Sequence, residues 1–353
     1  MAELDLGKLE ALAGKVVGNA SAALAGLLVY IGDQTGVYQA MADGKSRTAE
    51  QIAAIANVDA RYLKELLAAN AANEYVNYDA DSEQFHMTPE QVAVFATEDS
   101  PTNMQGLLQI IVAQYSEHDT AVEVFQSGKG RPWGEQHGCQ FCGTDRFFRP
   151  GYEQNLVDNW IPALDGVKET LEAGGTVVDI GCGHGSSSVL MAETFPNSKI
   201  FGYDLHEQSI DDAKSKAANA NVGNVEFGVA DASNLPANDG YDFACIFDAL
   251  HDMGDPVGVA QHIREGLKPG GTLMVVEPMA GDKIEDNLHA LGGVFYAAST
   301  LICLPNSRSQ DVGLCLGAQA GPKRLIEVLE EAGFGSVRVA TTSATNIVLE
   351  ATA

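Results

Sequence analysis

The sequence predicts an α/β protein in which an N-terminal α-helical domain with a small two-stranded wing precedes a mostly parallel sheet. Three observations carry that prediction. Short β-rich runs alternate with helical stretches through residues 168–353, the pattern of parallel strands joined by crossover helices. The run at 176–180 passes directly into a Gly-rich turn and then a helix-forming segment. Residues 1–100 instead read as helices followed by two short strands around a polar turn.

From the N-terminus, residues 12–42 carry Leu, Ala and Val at helical spacings, and Gly44 supplies a stop. Thr48-Ala49-Glu50-Gln51 has the form of a capping box and opens a helix to about residue 56. A second helix over 59–73 completes a helix-turn-helix. Residues 74–78 and 84–87 flank the turn Asp79-Ala80-Asp81-Ser82 as the two strands of a wing. A connecting region, 101–167, is helical and aromatic, with Gly128, Gly130, Pro132, Gly134, Gly138 and Gly143 clustered as breakers. Within 168–353, strands are expected at 176–180, 199–203, 225–229, 243–247 and 272–276. The last runs, 337–341 and 346–350, are close enough to pair as an edge hairpin. Residues 278–322 form a long insert before a helix at 324–332.

Composition narrows the class without naming a chemistry. With 353 residues and 45% hydrophobic content the chain can bury a core without staples. Its formal charge of −27 repels polyanions, so nucleic acid and anionic membranes are not expected partners. Six cysteines in a chain this large, opening on an acidic segment, point to reduced thiols and a cytoplasmic setting rather than disulfides. The apolar run 20–31 is too short to span a bilayer.

The chemistry lies at the strand ends. Val177-Val178-Asp179-Ile180 reads as a buried strand, and Gly181, Gly183 and Gly185 follow it. Glycines there allow a sharp turn and the close approach of a ligand. Asp204 ends the next strand, 25 residues after Asp179, where a carboxylate can accept ribose hydroxyls. The spacing Gly-x-Gly-x-Gly departs from the fingerprint that brings a pyrophosphate onto a helix N-terminus, so a dinucleotide fits poorly. Asp231, after the third strand, can accept the exocyclic amine of adenine. Asp179, Asp204 and Asp231 together suit a cation that carries an adenosine.

These residues resemble the class I S-adenosylmethionine-dependent methyltransferases, specifically the small-molecule enzymes with an N-terminal winged-helix dimerisation domain. The resemblance rests on Val178-Asp179-Ile180-Gly181-Cys182-Gly183-His184-Gly185, Gly202-Tyr203-Asp204-Leu205, Ala230-Asp231-Ala232, Ile246-Phe247-Asp248-Ala249-Leu250-His251-Asp252 and Leu267-Lys268-Pro269-Gly270-Gly271. It is nearest a bacterial branch that includes a mycobacterial winged-helix methyltransferase. It implies a Rossmann-like seven-stranded sheet of order 3-2-1-4-5-7-6, S-adenosylmethionine as cofactor, and a homodimer through the N-terminal helices. By resemblance Gly181 and Gly183 approach the methionine part, Asp204 holds the ribose, Asp231 with Ala232 meets adenine, Phe247 with Asp248 closes the site, and Leu205 is a further cofactor-binding residue. It also makes His251 the candidate catalytic base for a hydroxyl acceptor, with thiol or amine acceptors as alternatives. A neutral imidazole with a pKa near 6.5 suits that task.

The acceptor must approach the sulfonium at the strands' carboxyl ends. Phe148 and Tyr152 from the connecting region and Tyr296 from the insert are candidates to line its pocket, though large apolar side chains serve equally as core. No metal site is read: Cys139 and Cys142 have a metal-like spacing, but no second pair completes four ligands. The winged helix raises two other readings, a transcriptional regulator or a non-catalytic sensor that holds S-adenosylmethionine. Charge opposes the regulator. Residues 1–100 set six Lys and Arg against fifteen Asp and Glu, leaving −9 where DNA binders carry a basic stripe.

Overall fold

The computed structural model describes residues 4–236, 238 and 240–353. Contacts divide it into two compact units, one comprising residues up to Ser116 with Cys142–Pro150, the other Glu117–Phe141 with Gly151–Ala353.

The first unit begins with α1 (Leu6–Gln34), capped by the Asp5 carboxylate, which accepts the Lys8 N–H at 3.1 Å. The helical pattern expected over 12–42 breaks at Gly36, whose φ of 72° suits glycine, and resumes as α2 (Val37–Met41). At 29 residues, α1 is longer than its apolar run implied. It is the one helix among the described residues long and apolar enough to cross a membrane. Only Ala25, Gly26, Val29 and Gly32 of α1 are buried, while Leu9, Leu12, Val16, Val17 and Leu24 are exposed.

The helix-turn-helix follows as α3 (Ala49–Ala56), with both halves of the Thr48/Gln51 capping box formed, and α4 (Ala60–Ala72), capped by Asp59. Strands β1 (Asn77–Asp79) and β2 (Gln84–His86) make the wing. The wing is shorter than expected because Glu74 is left-handed at φ 62° and turns the chain out of α4, so residues 74–76 are helix exit rather than strand. A second capping box, Thr88/Gln91, opens α5 (Pro89–Phe95), and α6 (Gln105–Ser116) closes this part. Val29, Tyr38, Met41, Ile52, Leu67, Phe85 and Phe95 share one core.

The second unit holds α7 (His118–Ser127) and both ends of α8 (Gly138–Asn155), then α9 (Val167–Ala173) and the sheet. Its elements are β3 (Thr176–Ile180), α10 (Ser186–Thr194), β4 (Lys199–Asp204), α11 (Glu207–Ala220), β5 (Val225–Val229), β6 (Tyr241–Phe247), α12 (Pro256–Gly266) and β7 (Leu267–Pro278). The insert contributes α13 (Ala290–Ala298) and α14 (Leu304–Arg308), after which come α15 (Gly321–Glu331), β8 (Ser336–Thr342) and β9 (Asn346–Thr352).

The sheet order is β5-β4-β3-β6-β7-β9-β8, with β9 antiparallel to both neighbours. Counted along the sheet's own strands this is 3-2-1-4-5-7-6, as the resemblance implied. Both faces are covered, so the inner strands read as unbroken apolar runs. Val178, Ile180, Ala244 and Ile246 face α12 and α15 on one side. Val177, Phe243, Cys245 and Phe247 pack with Trp160, Ile161 and Leu171 on the other. No disulfide forms among the described residues.

Candidate active site

The central strand β3 delivers Asp179 fully buried at its carboxyl end. One carboxylate oxygen accepts the hydroxyls of Ser187 and Ser188, both at 2.6 Å. The other oxygen, Oδ1, is buried without a hydrogen-bond partner. Burial pushes this carboxyl up to about 6, against the two serine bonds that lower it.

The turn after Asp179 has φ 71° at Gly181, 51° at Gly183 and 74° at Gly185, conformations that side-chain-bearing residues rarely adopt. The glycines nonetheless serve different ends. A Cβ on Gly185 would lie 2.7 Å from the Phe227 ring and 2.8 Å from Ala213, so Gly185 is required for packing. A Cβ on Gly183 would meet nothing within 4 Å, so Gly183 borders open space. Its N–H donates to Asp204 Oδ2 at 2.9 Å, while the N–H of His206 donates to Asp204 Oδ1 at 2.8 Å. Asp204 is thereby fixed over the turn with acceptor capacity left on both oxygens. Leu205 beside it is 61% exposed.

Asp231 is exposed, and its Oδ1 accepts both the N–H and the hydroxyl of Ser233, capping the short turn Ala232–Asn234. Phe247 is buried, its ring 5.1 Å from that of Tyr152. Asp248 follows β6 at φ 50°. It accepts from Asn346 Nδ2 at 2.9 Å and from the Tyr152 hydroxyl at 3.4 Å. Burial, then the charge of Glu277, holds its carboxyl well above the usual range.

His251 lies buried in the short turn Leu250–Asp252 beyond β6. Its Nδ1 bonds Glu277, whose other oxygen accepts the N–H groups of Leu250 at 3.0 Å and His251 at 3.3 Å. Its Nε2 is 3.2 Å from Asp252 Oδ1. Burial opposes charge on this ring, but Glu277 and Asp252 outweigh it and raise the pKa well above 6.5. The neutral imidazole expected from sequence is therefore replaced by one held toward its charged form.

Asp179, the three glycines, Asp204, Leu205, Asp231, Ala232, Phe247, Asp248, His251 and Tyr152 all belong to the second unit, on or just beyond β3 to β6 or on α8. Tyr296 lies half-buried on α13 of the same unit. Phe148 belongs to the first unit, its ring 4.9 Å from that of Phe147. Sequence reasoning missed Glu277, Asn346 and Cys303. Glu277 had a usable signal, since it is a lone acid at the end of the apolar strand β7, the same feature that exposed Asp179 and Asp204.

S-adenosylmethionine fits the groups present. The unpartnered buried Oδ1 of Asp179 can accept an ammonium, Gly183 leaves room for close approach, and Asp204 has lone pairs for ribose hydroxyls. The cofactor supplies a methyl group on a positively charged sulfur, which the surrounding carboxylates favour.

Comparison with known proteins agrees. Residues 171–333 match the family described as methyltransferase domain, and residues 22–97 match the Rv2258c-like winged HTH domain. A demethylmenaquinone methyltransferase of Listeria monocytogenes is 29% identical over 208 residues, which cover 54% of this chain and 84% of that one. Among solved structures, mitomycin 7-O-methyltransferase superposes with a TM-score of 0.73 at 17% identity, covering 99% of this chain and all of the other. Human N-acetylserotonin methyltransferase in complex with S-adenosylmethionine superposes at 0.71 and 18%, covering 99% and 98%. Fold and site thus define a class I methyltransferase. More particularly, the chain is an S-adenosylmethionine-dependent methyltransferase with an N-terminal Rv2258c-like winged-helix domain.

Proposed function

We propose that this methyltransferase acts on a hydroxyl of a small-molecule acceptor bound over the carboxyl ends of β3 and β6. The observation that carries the proposal is the His251–Glu277 pair, a buried imidazole whose Nδ1 is held by a carboxylate just beyond the cofactor turn. That bond fixes the ring, and the Glu277 and Asp252 carboxylates that hold it toward its charged form stabilise the imidazolium it becomes on taking a substrate proton at Nε2, so the ring acts as base from its neutral form. A hydroxyl needs such help because it is a poor nucleophile until its proton leaves. Mitomycin 7-O-methyltransferase carries an oxygen acceptor in its name, which supports the same choice.

In this reading Asp179, Gly181 and Gly183 hold the methionine part and Asp204 holds the ribose. Leu205 covers one face of the base. Asp231, through its second oxygen, and Ala232 meet adenine, while Gly185 keeps the turn packed. Phe247 and Asp248 close the site, and Tyr152 and Tyr296 line the acceptor side. Phe148, which belongs to the other unit, is left out. The exposed apolar side chains of α1 favour a homodimer over a free surface, in a cytoplasmic protein with no nucleic-acid partner.

The test is His251→Ala. Turnover on a hydroxyl acceptor, followed by S-adenosylhomocysteine release, should fall by about 100-fold or more with cofactor affinity nearly intact. Near-normal turnover, or loss of cofactor binding alongside turnover, removes His251 as the base. Cofactor binding without turnover on any acceptor in a broad screen would instead favour a sensor.

A further inference from the structure

We propose that the insert is the mount of the base: Asn306, Ser307 and Gln310, with the loop that follows them, are positioning residues that hold the turn carrying His251. That turn cannot hold itself. Leu250–Asp252 is a single 3-10 turn, too short to fix its own backbone by internal hydrogen bonds. Glu277 takes the N–H groups at its start. Its carbonyl side belongs to the insert. Four consecutive carbonyls accept from it: His251 from the Gly317 N–H at 3.2 Å, Asp252 from Asn306 Nδ2 at 3.3 Å and Gln310 Nε2 at 3.2 Å, Met253 from Ser307 Oγ at 2.8 Å, and Gly254 from the Leu314 N–H at 2.9 Å. The Gly254 N–H donates in return to Gln310 Oε1 at 2.9 Å.

Both partners are shaped for this contact. A Cβ on Gly254 would lie 2.4 Å from Gln310 Cβ and 2.6 Å from the Asp311 carbonyl oxygen, and Gly254 is not left-handed, so the close approach of the insert is what requires glycine there. On the insert, Val312 stands at φ 69° and Cys315 at φ 55°, conformations that side chains resist and β-branched ones most of all. Val312 is 72% exposed, so packing does not hold it in that state. The bonds on either side of it do, from Gln310 and Leu314 to Gly254.

The mount is itself braced from behind. Asn306 Oδ1 accepts the Trp133 N–H at 2.9 Å, and the Pro305 carbonyl accepts the Arg131 N–H at 2.7 Å. The buried Arg131 guanidinium in turn pairs with Glu117 at 3.0 Å. Such bracing matters because misplacing a catalytic group by about 1 Å can cost about 100-fold in rate. It also sets the charge state of the ring. Facing His251 are Glu277 of β7, Asp252 of the turn, Asp248 at the end of β6 and Cys303 of the insert. In this seat the carboxylates outweigh burial and raise the pKa, so a ring released into water loses both influences and titrates nearer 6.5.

The test uses full-length protein and three variants. Gln310→Met removes the bonds of an exposed side chain at similar size. Gly254→Ala deletes no polar group but drives the insert off the turn. Val312→Gly relaxes the loop and touches none of the bonds. Calorimetric S-adenosylmethionine affinity, expected to be unchanged in all three, identifies folded protein. The first two should lower kcat on a hydroxyl acceptor by about 10- to 100-fold and move the His251 titration, followed by NMR and assigned by its loss in His251→Ala, down toward 6.5. Val312→Gly should match the parent in both. A His251 titration unshifted in Gln310→Met and Gly254→Ala overturns the proposal, as does the same shift in Val312→Gly, which would make any disturbance of the loop sufficient. The effect on turnover rests on His251 being the base, whereas the titration does not. A ring that shifts while turnover holds upholds the mount and removes His251 as base; turnover lost without a shift removes the mount and leaves the base standing.

Discussion

Replacing Asp179 by Asn should make the cofactor-free protein more stable and a poorer binder of S-adenosylmethionine. Asp179 is fully buried, with one oxygen satisfied by Ser187 and Ser188 and the other unpartnered, and its carboxyl is pushed from 3.8 up to about 6. A shift of about two units corresponds to about 3 kcal/mol of penalty on the ionised form. Because the folded value lies above the unfolded one, the native state holds an extra proton between them. Stability from this group is therefore greatest below about 4, falls as pH rises through about 6, and stays low above it. Asn carries no charge but leaves an amide to satisfy at a cost of about 1 to 2 kcal/mol. The net gain expected at pH 8 is therefore about 1 to 2 kcal/mol, turning into a loss of about 1 to 2 kcal/mol near pH 4, where only the amide cost remains. The assay is chemical denaturation followed by tryptophan emission, because both tryptophans, Trp133 and Trp160, belong to the second unit and report on it alone. In parallel, calorimetry should show cofactor affinity lowered by about 10- to 100-fold, the scale of a charged hydrogen bond. A variant less stable than its parent at pH 8, a stability gap that ignores pH, or unchanged affinity would refute the reasoning.

Two further outcomes can be measured directly. Asp204→Ala should weaken S-adenosylmethionine and S-adenosylhomocysteine binding by about 1 to 3 kcal/mol and leave NAD unbound as before; unchanged calorimetric affinity would remove Asp204 from the site. Light scattering should give about twice the 37.3 kDa of one chain, and the pair Leu12→Lys and Val16→Lys should shift it toward monomer, since both side chains stand more than half exposed on α1. A parent already monomeric at micromolar concentration would sink the dimer.

The fold was legible where local and tertiary demands coincide. The strand β3 stands at 176–180 as expected, its apolar run bounded by Gly174-Gly175 before it and Gly181 after it, and the half-exposed edge strand β5 stands at 225–229, following Gly223-Asn224. Limits failed where a single backbone conformation decides them. Glu74 and Gly36 end α4 and α1 by turning left-handed, which the apolar spacing of residues 12–42 and 59–73 does not record. In the site, strand-end acids followed by glycines could be read because they are contiguous or one crossover apart. The His251–Glu277 contact spans 26 residues, and Cys303 reaches His251 across the insert through a π-helical turn. No periodicity in the sequence carries such a juxtaposition.

The backbone at residue 248 supplies the last prediction. Asp248 is left-handed at φ 50°, a conformation that costs a residue other than glycine about 1 kcal/mol or more and that Asn and Asp tolerate best. Glycine would relieve that cost, so an aspartate here implies that its side chain returns more than the backbone loses. It accepts from Asn346 at 2.9 Å and from Tyr152 at 3.4 Å, tying β6 to β9 and to α8. Burial and Glu277 hold its carboxyl toward the protonated form, so charge is not what the position requires. Asp248→Asn keeps an acceptor for Asn346 and a polar group for the Tyr152 hydroxyl, and should leave cofactor affinity within about threefold of the parent, the range of one modest hydrogen bond. Asp248→Gly keeps the turn but strands Asn346 and Tyr152, and should lower affinity by about tenfold or more despite its more relaxed backbone. If Asn fails as badly as Gly, the negative charge itself is needed at the strand end; if Gly binds as well as the parent, the side chain is dispensable and the left-handed aspartate has no part in closing the site.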